Sequence, residues 1–357
     1  MPEKARIRAE ADRLRAVFEA SGAEVVEFDI LQPAETLLDL YGEDIRGRAF
    51  VTHDPLQGEM MLRPDFTVPL VSRLVREGRR EGRFTYAGEV FRRQEQAPDR
   101  DAEYLQVGFE IVGGAPAEAD AEVFATMADA LEPLGLMASM GDIGLLGDAV
   151  EGLTASAARK AALRHHLWRP KRFRKLLDAY SGKGKVSAGR RALLDAGSKK
   201  TSNAVEIGLR SASEVRARIE ALQAEANEPP IPGAEVKLID MLTGVRGRAP
   251  DALSMLADIA VDLPAIEAGV GRLEGRLDAL SALGVDVDAI QFDASYGRTS
   301  LEYYDGVVFG FSAPARPDLP PVATGGRYDA LTRALGDPIP AVGGVIRPGI
   351  AIALRAL

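Results

Sequence analysis

Two strand-length runs joined by a polar loop constrain this chain more than any other feature. Phe84 to Arg93 and Tyr104 to Val112 carry aromatic and β-branched residues, and Gln94 to Glu103 between them is polar with one proline. That pattern predicts an antiparallel hairpin with a long loop. In strand alternation, Arg92 shares a face with Val90 and Gly88, and Gln106, Gly108 and Glu110 share a face of the second strand. Arg, Gln and Glu on one face of adjacent strands make a charged floor, and an arginine there suits a carboxylate or phosphate. A solvated sheet face with a cross-strand Arg–Glu pair explains the same residues. Taken alone, the residues leave these two readings even.

The flanking sequence predicts helices and further strands. Ile7, Ala11, Leu14 and Phe18 recur at helical spacing over residues 4–21, with Gly22 as the stop. Val25 to Leu31 reads as a strand ending at Pro33, and residues 34–41 as a short helix. Strand pieces at 48–54 and 59–63 flank a turn at Asp54-Pro55, and Asp65 is a good N-cap for a helix over 65–79. A helix over 116–134 precedes a strand over Leu136–Ile143. From about residue 148 to 285 the chain is rich in Ala, Leu, Arg and Glu with helical periods. Strand signals return at Ala289–Asp293 and Leu301–Phe311, and a last helix is expected over 326–335 after a Gly-Gly turn. The expected architecture is an α+β core, residues 1–147 and 288–357, split by a mainly helical insertion over 148–287.

Composition removes several chemistries. The 357 residues include no cysteine, which excludes disulfides, thiolate zinc sites and cysteine nucleophiles. His165 and His166 are adjacent and lack the i, i+4 spacing of a helical metal pair, so no metal and no cofactor is expected. A net charge of -9 supplies no general attraction for nucleic acid. The basic and aromatic run Trp168 to Lys175 suits RNA backbone contacts and base stacking, but a helix face paired with acidic partners is the preferred reading. No run reaches the ~20 apolar residues of a membrane span, and no apolar leader is seen, so a cytoplasmic protein is expected. Gly182-Lys183-Gly184-Lys185 lacks the spacing and hydroxyl of a phosphate-binding loop.

Two more segments carry chemistry. Asp65 and Thr67, two residues apart at a helix start, suit an ammonium group, although plain capping explains them as well. Tyr303 and Tyr304, if on a strand, place one ring on each face, one in the core and one outside; Gly325-Gly326-Arg327-Tyr328-Asp329 follows about twenty residues later.

In this order, these segments resemble the catalytic core of histidyl-tRNA synthetases, a class II synthetase fold with an antiparallel sheet flanked by helices. The segment ending at Pro33 looks like motif 1, which implies a homodimer. Residues 84–113 are similar to motif 2, residues 299–309 to the histidine-specific segment, and residues 325–329 to the approach to motif 3. The resemblance covers roughly 5–147 and 288–345. It implies a histidine pocket with Asp65 and Thr67 at the amino group and Arg92 at the carboxylate. Gln106 and Glu110 would lie near the amino group and ring, and Tyr303 and Tyr304 around the imidazole. Glu110→Ala is expected to weaken histidine binding and leave the fold intact.

The departures redirect the function. Thr299 stands where the family has the arginine that polarises the carboxylate, with Arg298 one residue off. The ATP-clamping arginine of motif 3 falls on Ile350, with Arg347 and Arg355 out of register, and the ATP-contacting glutamate of the motif 2 loop falls on Gln94. Loss of these charges removes stabilisation of an anionic adenylation transition state. The chain ends shortly after motif 3, so no anticodon-binding domain is expected. This pattern is similar to the regulatory subunits of short-form ATP phosphoribosyltransferase, whose Leu-Arg-Pro-Asp form matches Leu62–Asp65. The resemblance implies a non-catalytic subunit that joins a short catalytic subunit in a hetero-octamer, activates it, and passes on histidine inhibition of the first step of histidine synthesis. A truncated or divergent synthetase and an RNA-binding module are the alternatives.

Overall fold

The structure, a computed structural model, describes residues 3–34, 47–93, 101–184, 187–196, 211–298 and 303–355. The helix expected over 34–41 falls almost wholly outside these residues, as do Gln94 and Thr299. The hairpin is present as β5 (Gly82–Phe91) and β6 (Glu103–Val112), paired antiparallel from Gly82↔Val112 to Phe91↔Glu103. It extends into one nine-stranded sheet. Beside β6 lies β12 (Ala341–Ile346), then β11 (Ala323–Arg327), β10 (Val307–Ser312) and β7 (Met137–Asp142). The short strands β1 (Glu24–Val25), β9 (Gln291–Asp293) and β8 (Arg246–Arg248) complete the edges. The sheet is mixed: β1 with β5 and β7 with β9 are parallel, and the central pairs are antiparallel. A separate three-stranded sheet joins β2 (Leu31–Pro33), β4 (Gly58–Leu62) and β3 (Val51–Asp54). Its turn is held by Asp54, whose Oδ1 accepts from the N–H groups of Leu56 and Gln57 at 2.8 Å each.

Helices cover one face of the large sheet. In α1 (Glu3–Ala20), Ala11, Leu14 and Phe18 are buried, and Phe18 stacks on Phe109 of β6 with ring centroids 5.2 Å apart. Gly22 follows with φ 88°, the left-handed region that a side chain would strain. The second helix, α2 (Thr67–Glu77), starts two residues later than the sequence predicts. Asp65 still performs the capping, since its Oδ1 accepts from Val68 N at 3.3 Å. Next, α3 (Pro116–Leu131) packs over β6, β10, β11 and β12. Among the described residues from Ile143 to Ala282, β8 is the one strand, and the helices are α4 (Ile143–Glu151), α5 (Ala157–Arg164), α6 (Pro170–Tyr180), α7 (Ala188–Ala196), α8 (Ala212–Asn227), α9 (Gly233–Gly244), α10 (Ala249–Asp262) and α11 (Glu267–Ala282). α11 lies against α3, and β8 sits on the sheet edge.

Two expectations change near the end of the chain. Gly325-Gly326 is not a turn but lies within the central strand β11, and Gly343-Gly344 lies within β12. The helix after the first pair, α12 (Asp329–Ala334), is not the last, because α13 (Pro348–Arg355) follows β12. Glycine is a poor strand former, which hides these strands from a propensity reading. Here it makes room: a Cβ on Gly343 would overlap the Glu110 carboxylate, and one on Gly108 would overlap the Tyr86 ring.

Candidate functional site

The uncovered face of β6, β12, β11 and β10 forms the floor of a cavity of about 150 Å³. A dry cavity of about that size holds a single-ring ligand. The seven residues singled out from sequence, Asp65, Thr67, Arg92, Gln106, Glu110, Tyr303 and Tyr304, all line it. Gln106 and Glu110 are 0% and 1% exposed, so the solvated-sheet reading does not apply to them. Neither does the cross-strand Arg–Glu pair: Arg92 lies just beyond β5, donates from Nε to Pro64 O at 2.6 Å, and faces Asp65 at 3.8 Å.

Glu110 is the most heavily held side chain of the site. Its Oε1 accepts from Tyr86 Oη at 2.7 Å and Thr67 Oγ1 at 3.0 Å, and its Oε2 from Tyr328 Oη at 2.7 Å. Burial pushes its carboxyl up to about 7, and the nearby Asp65 charge adds to this, while the three hydroxyl donors oppose it. Glu110 therefore titrates near neutrality. Removing it would strand three buried hydroxyls, so Glu110→Ala disturbs the fold as well as the pocket, contrary to the sequence expectation. Gln106 is the reverse case. Among the described residues, neither its Nε2 nor its Oε1 has a hydrogen-bond partner. A buried primary amide left open on a cavity wall is costly unless something enters the cavity to meet it.

The tyrosine pair differs from its sequence reading. Tyr303 and Tyr304 precede β10, so strand alternation does not separate them. Both are buried, their rings meet edge to face at 4.9 Å, and Tyr303 is 6.0 Å from Tyr328. Burial pushes the Tyr304 hydroxyl well up from its usual value, with the Glu110 charge adding to it.

Sequence reasoning misses several lining residues: Arg48, Tyr296, Thr324, Tyr328 and Arg347. Tyr328 sits inside the Gly-Gly-Arg-Tyr-Asp segment, but its contact with Glu110 leaves no local signal. Arg347 is out of register with the motif 3 arginine, yet β12 ends at Ile346 and the turn into α13 puts its side chain on the cavity wall. Arg298 goes the other way. It lies on a turn rather than a strand, donates from Nε to Leu167 O at 2.9 Å, and rests 5.0 Å from the Phe173 ring centroid, outside the cavity lining.

The basic run ahead of and within α6 holds no fully exposed aromatic ring, Trp168 being half-buried. Phe173 is buried, and Trp168 donates from Nε1 to Tyr304 O at 3.2 Å. Base stacking needs open ring faces. Among the described residues no cluster of three or more His, Asp or Glu side chains is placed to hold a metal, and no helix is long and apolar enough to cross a membrane.

The fold and this cavity define a histidyl-tRNA synthetase-like protein on a class II synthetase core. The family model described as histidyl-tRNA synthetase matches residues 1–228 and 198–348. Solved structures agree on the fold. The "ATP phosphoribosyltransferase regulatory subunit/histidyl-tRNA synthetase" of Bacillus halodurans aligns over 99% of this chain and 80% of its own, with TM-score 0.69 and 21% identity. The "Histidine--tRNA ligase subunit" of Alicyclobacillus acidocaldarius aligns over 99% and 93%, with TM-score 0.61 and 25% identity. Among curated relatives, the proteins called "ATP phosphoribosyltransferase regulatory subunit" in Brucella canis and Brucella suis are 31% identical, over 92% of this chain and 93% of theirs. The chain belongs to the family of ATP phosphoribosyltransferase regulatory subunits.

Proposed function

We propose that this chain is a non-catalytic histidine sensor that joins a short-form ATP phosphoribosyltransferase catalytic subunit, activates it, and transmits histidine inhibition. The setting would be the cytoplasm, and the chain would pair with itself as well as with the catalytic subunit. The observation that carries the reading is a split in the site. The residues suited to an amino acid, from Asp65 through Gln106 to the two tyrosines, converge on one small cavity. The arginine nearest the family's adenylation position, Arg298, is spent on Leu167 O and Phe173 instead. A pocket that holds histidine where Ile350 stands in place of the family's ATP-clamping arginine binds the amino acid and does not activate it. Coupling of that pocket to a partner's active site is then a linkage free energy, equal in both directions.

The test is to mix the purified chain with a short-form catalytic subunit from the same source and follow phosphoribosyl-ATP formation. A rate that rises on mixing and falls with histidine is expected. No change in rate and no co-elution would remove the proposal. An active synthetase is the competing reading, and robust histidine-dependent ATP–pyrophosphate exchange by the chain alone would favour it.

A further inference from the structure

We infer that Arg347 is a specificity-determining residue of the pocket: with Arg92 it clamps the α-carboxylate of the bound amino acid. The inference rests on the histidine-binding proposal above and deepens it.

Arg347 lines the cavity, and its hydrogen-bond partners are all neutral. Nη1 donates to Pro321 O at 2.7 Å and Nη2 to Thr324 Oγ1 at 3.4 Å, with the Tyr104 hydroxyl as a further neighbour. Among the described residues no carboxylate forms an ion pair with it. Arg92, which lines the same cavity, repels it. Burial holds its guanidinium below the usual arginine value, and Arg92 lowers it further. Arg92 and Arg347, two of the three arginines on the cavity lining, with Arg347 in no ion pair with a carboxylate among the described residues, form a costly arrangement that an incoming anion relieves.

The pocket is polarised to match. Glu110 and Asp65 are also on its walls, so carboxylates and guanidinium groups of the protein share one cavity. A zwitterion with one ammonium and one carboxylate complements both signs at once. The open Gln106 amide, which can donate and accept, is a second and independent mark of a polar ligand. The volume of about 150 Å³ suits an amino acid with one ring and is small against the 300–1,000 Å³ of ordinary cofactor sites. The anion is therefore assigned as a carboxylate, with phosphate as the alternative source that the experiment separates.

Calorimetric titration of the full chain with L-histidine, L-histidinol and inorganic phosphate tests this. Histidinol keeps the ammonium and the ring and replaces the carboxylate by a hydroxymethyl group. The wild type should prefer histidine by about 10- to 100-fold, the range of a charge-assisted hydrogen bond. Arg347→Met should lose that preference by weakening histidine alone, with histidinol affinity, the internal control on folding, almost unmoved. Arg347→Lys should keep part of the preference, and Arg298→Met should keep all of it. An unchanged histidine-to-histidinol ratio in Arg347→Met, in a background where wild type binds histidine, overturns this inference and leaves the sensor proposal standing. A wild type that binds no histidine overturns both. Phosphate binding that depends on Arg347, without any preference for histidine over histidinol, overturns the carboxylate assignment.

Discussion

The large sheet carries a buried polar cluster on each face, and the two clusters are completed differently. Under α3 and α11, Asp120 Oδ1 accepts from Arg327 Nε and Nη2 at 3.0 and 2.7 Å, and its Oδ2 from Arg276 Nε at 2.9 Å. Asp142 Oδ2 accepts from Arg276 Nη1 at 3.2 Å, and its Oδ1 from Gly144 N at 2.9 Å. Arg327 also reaches Asp329 at 2.9 Å. Charges of both signs are present and their atoms are met from within the chain. On the cavity face, the Gln106 amide is open and Arg347 pairs with no carboxylate among the described residues. A closed network fixes how the helical stretch sits on the sheet, while an open one holds binding capacity for a molecule that comes and goes.

The sharpest way to break this contrast is Asp120→Ala. It leaves two buried guanidinium groups without their shared carboxylate and should cost about 3–5 kcal/mol in urea unfolding. A loss below about 1 kcal/mol would mean that the network is not structural.

Glu110→Gln probes the other face through pH. The folded carboxyl titrates at about 7 against a reference of 4.5, so between those values the folded state holds more protons than the unfolded one. The stability of the ligand-free protein should fall as pH rises through that window, by up to about 3 kcal/mol. Below it the stabilisation is complete, and above it the loss is complete. Glu110→Gln should flatten the dependence, and an unaltered pH profile would assign it to other groups.

The smallest effect is expected for Gln106→Leu. Replacing an unpaired buried amide by an apolar group should change stability by no more than about 1 kcal/mol, in either direction. Histidine affinity should fall about tenfold or more, because the hydrogen bonds the amide reserves are lost. A variant that binds histidine as wild type does would show that Gln106 faces water rather than ligand.

How much of the molecule is legible in its sequence depends on how local each signal is. The β5–β6 hairpin is legible because a contiguous stretch of chain announces it, and Gln106 and Glu110 are legible because alternation on one strand fixes their common side. Asp65 as a capping side chain is legible for the same reason. β11 and β12 are not, since their Gly-Gly pairs serve neighbours across the sheet rather than their own strands. Tyr303 and Tyr304 are misplaced by an assumption of extended backbone where the chain turns. Arg347 carries no periodicity, because what places it is the angle between β12 and α13.

The strand order has a consequence for how the protein is made. β6 is complete early in synthesis, but its neighbour β12 and the Tyr328 hydroxyl that meets Glu110 arrive much later, the latter 218 positions along the chain. Until then β6 presents a naked edge and a half-built carboxylate cage on the ribosome. The cavity is thus among the last parts to close, and on the proposed reading histidine present at that moment would favour the finished chain over its open precursor by mass action.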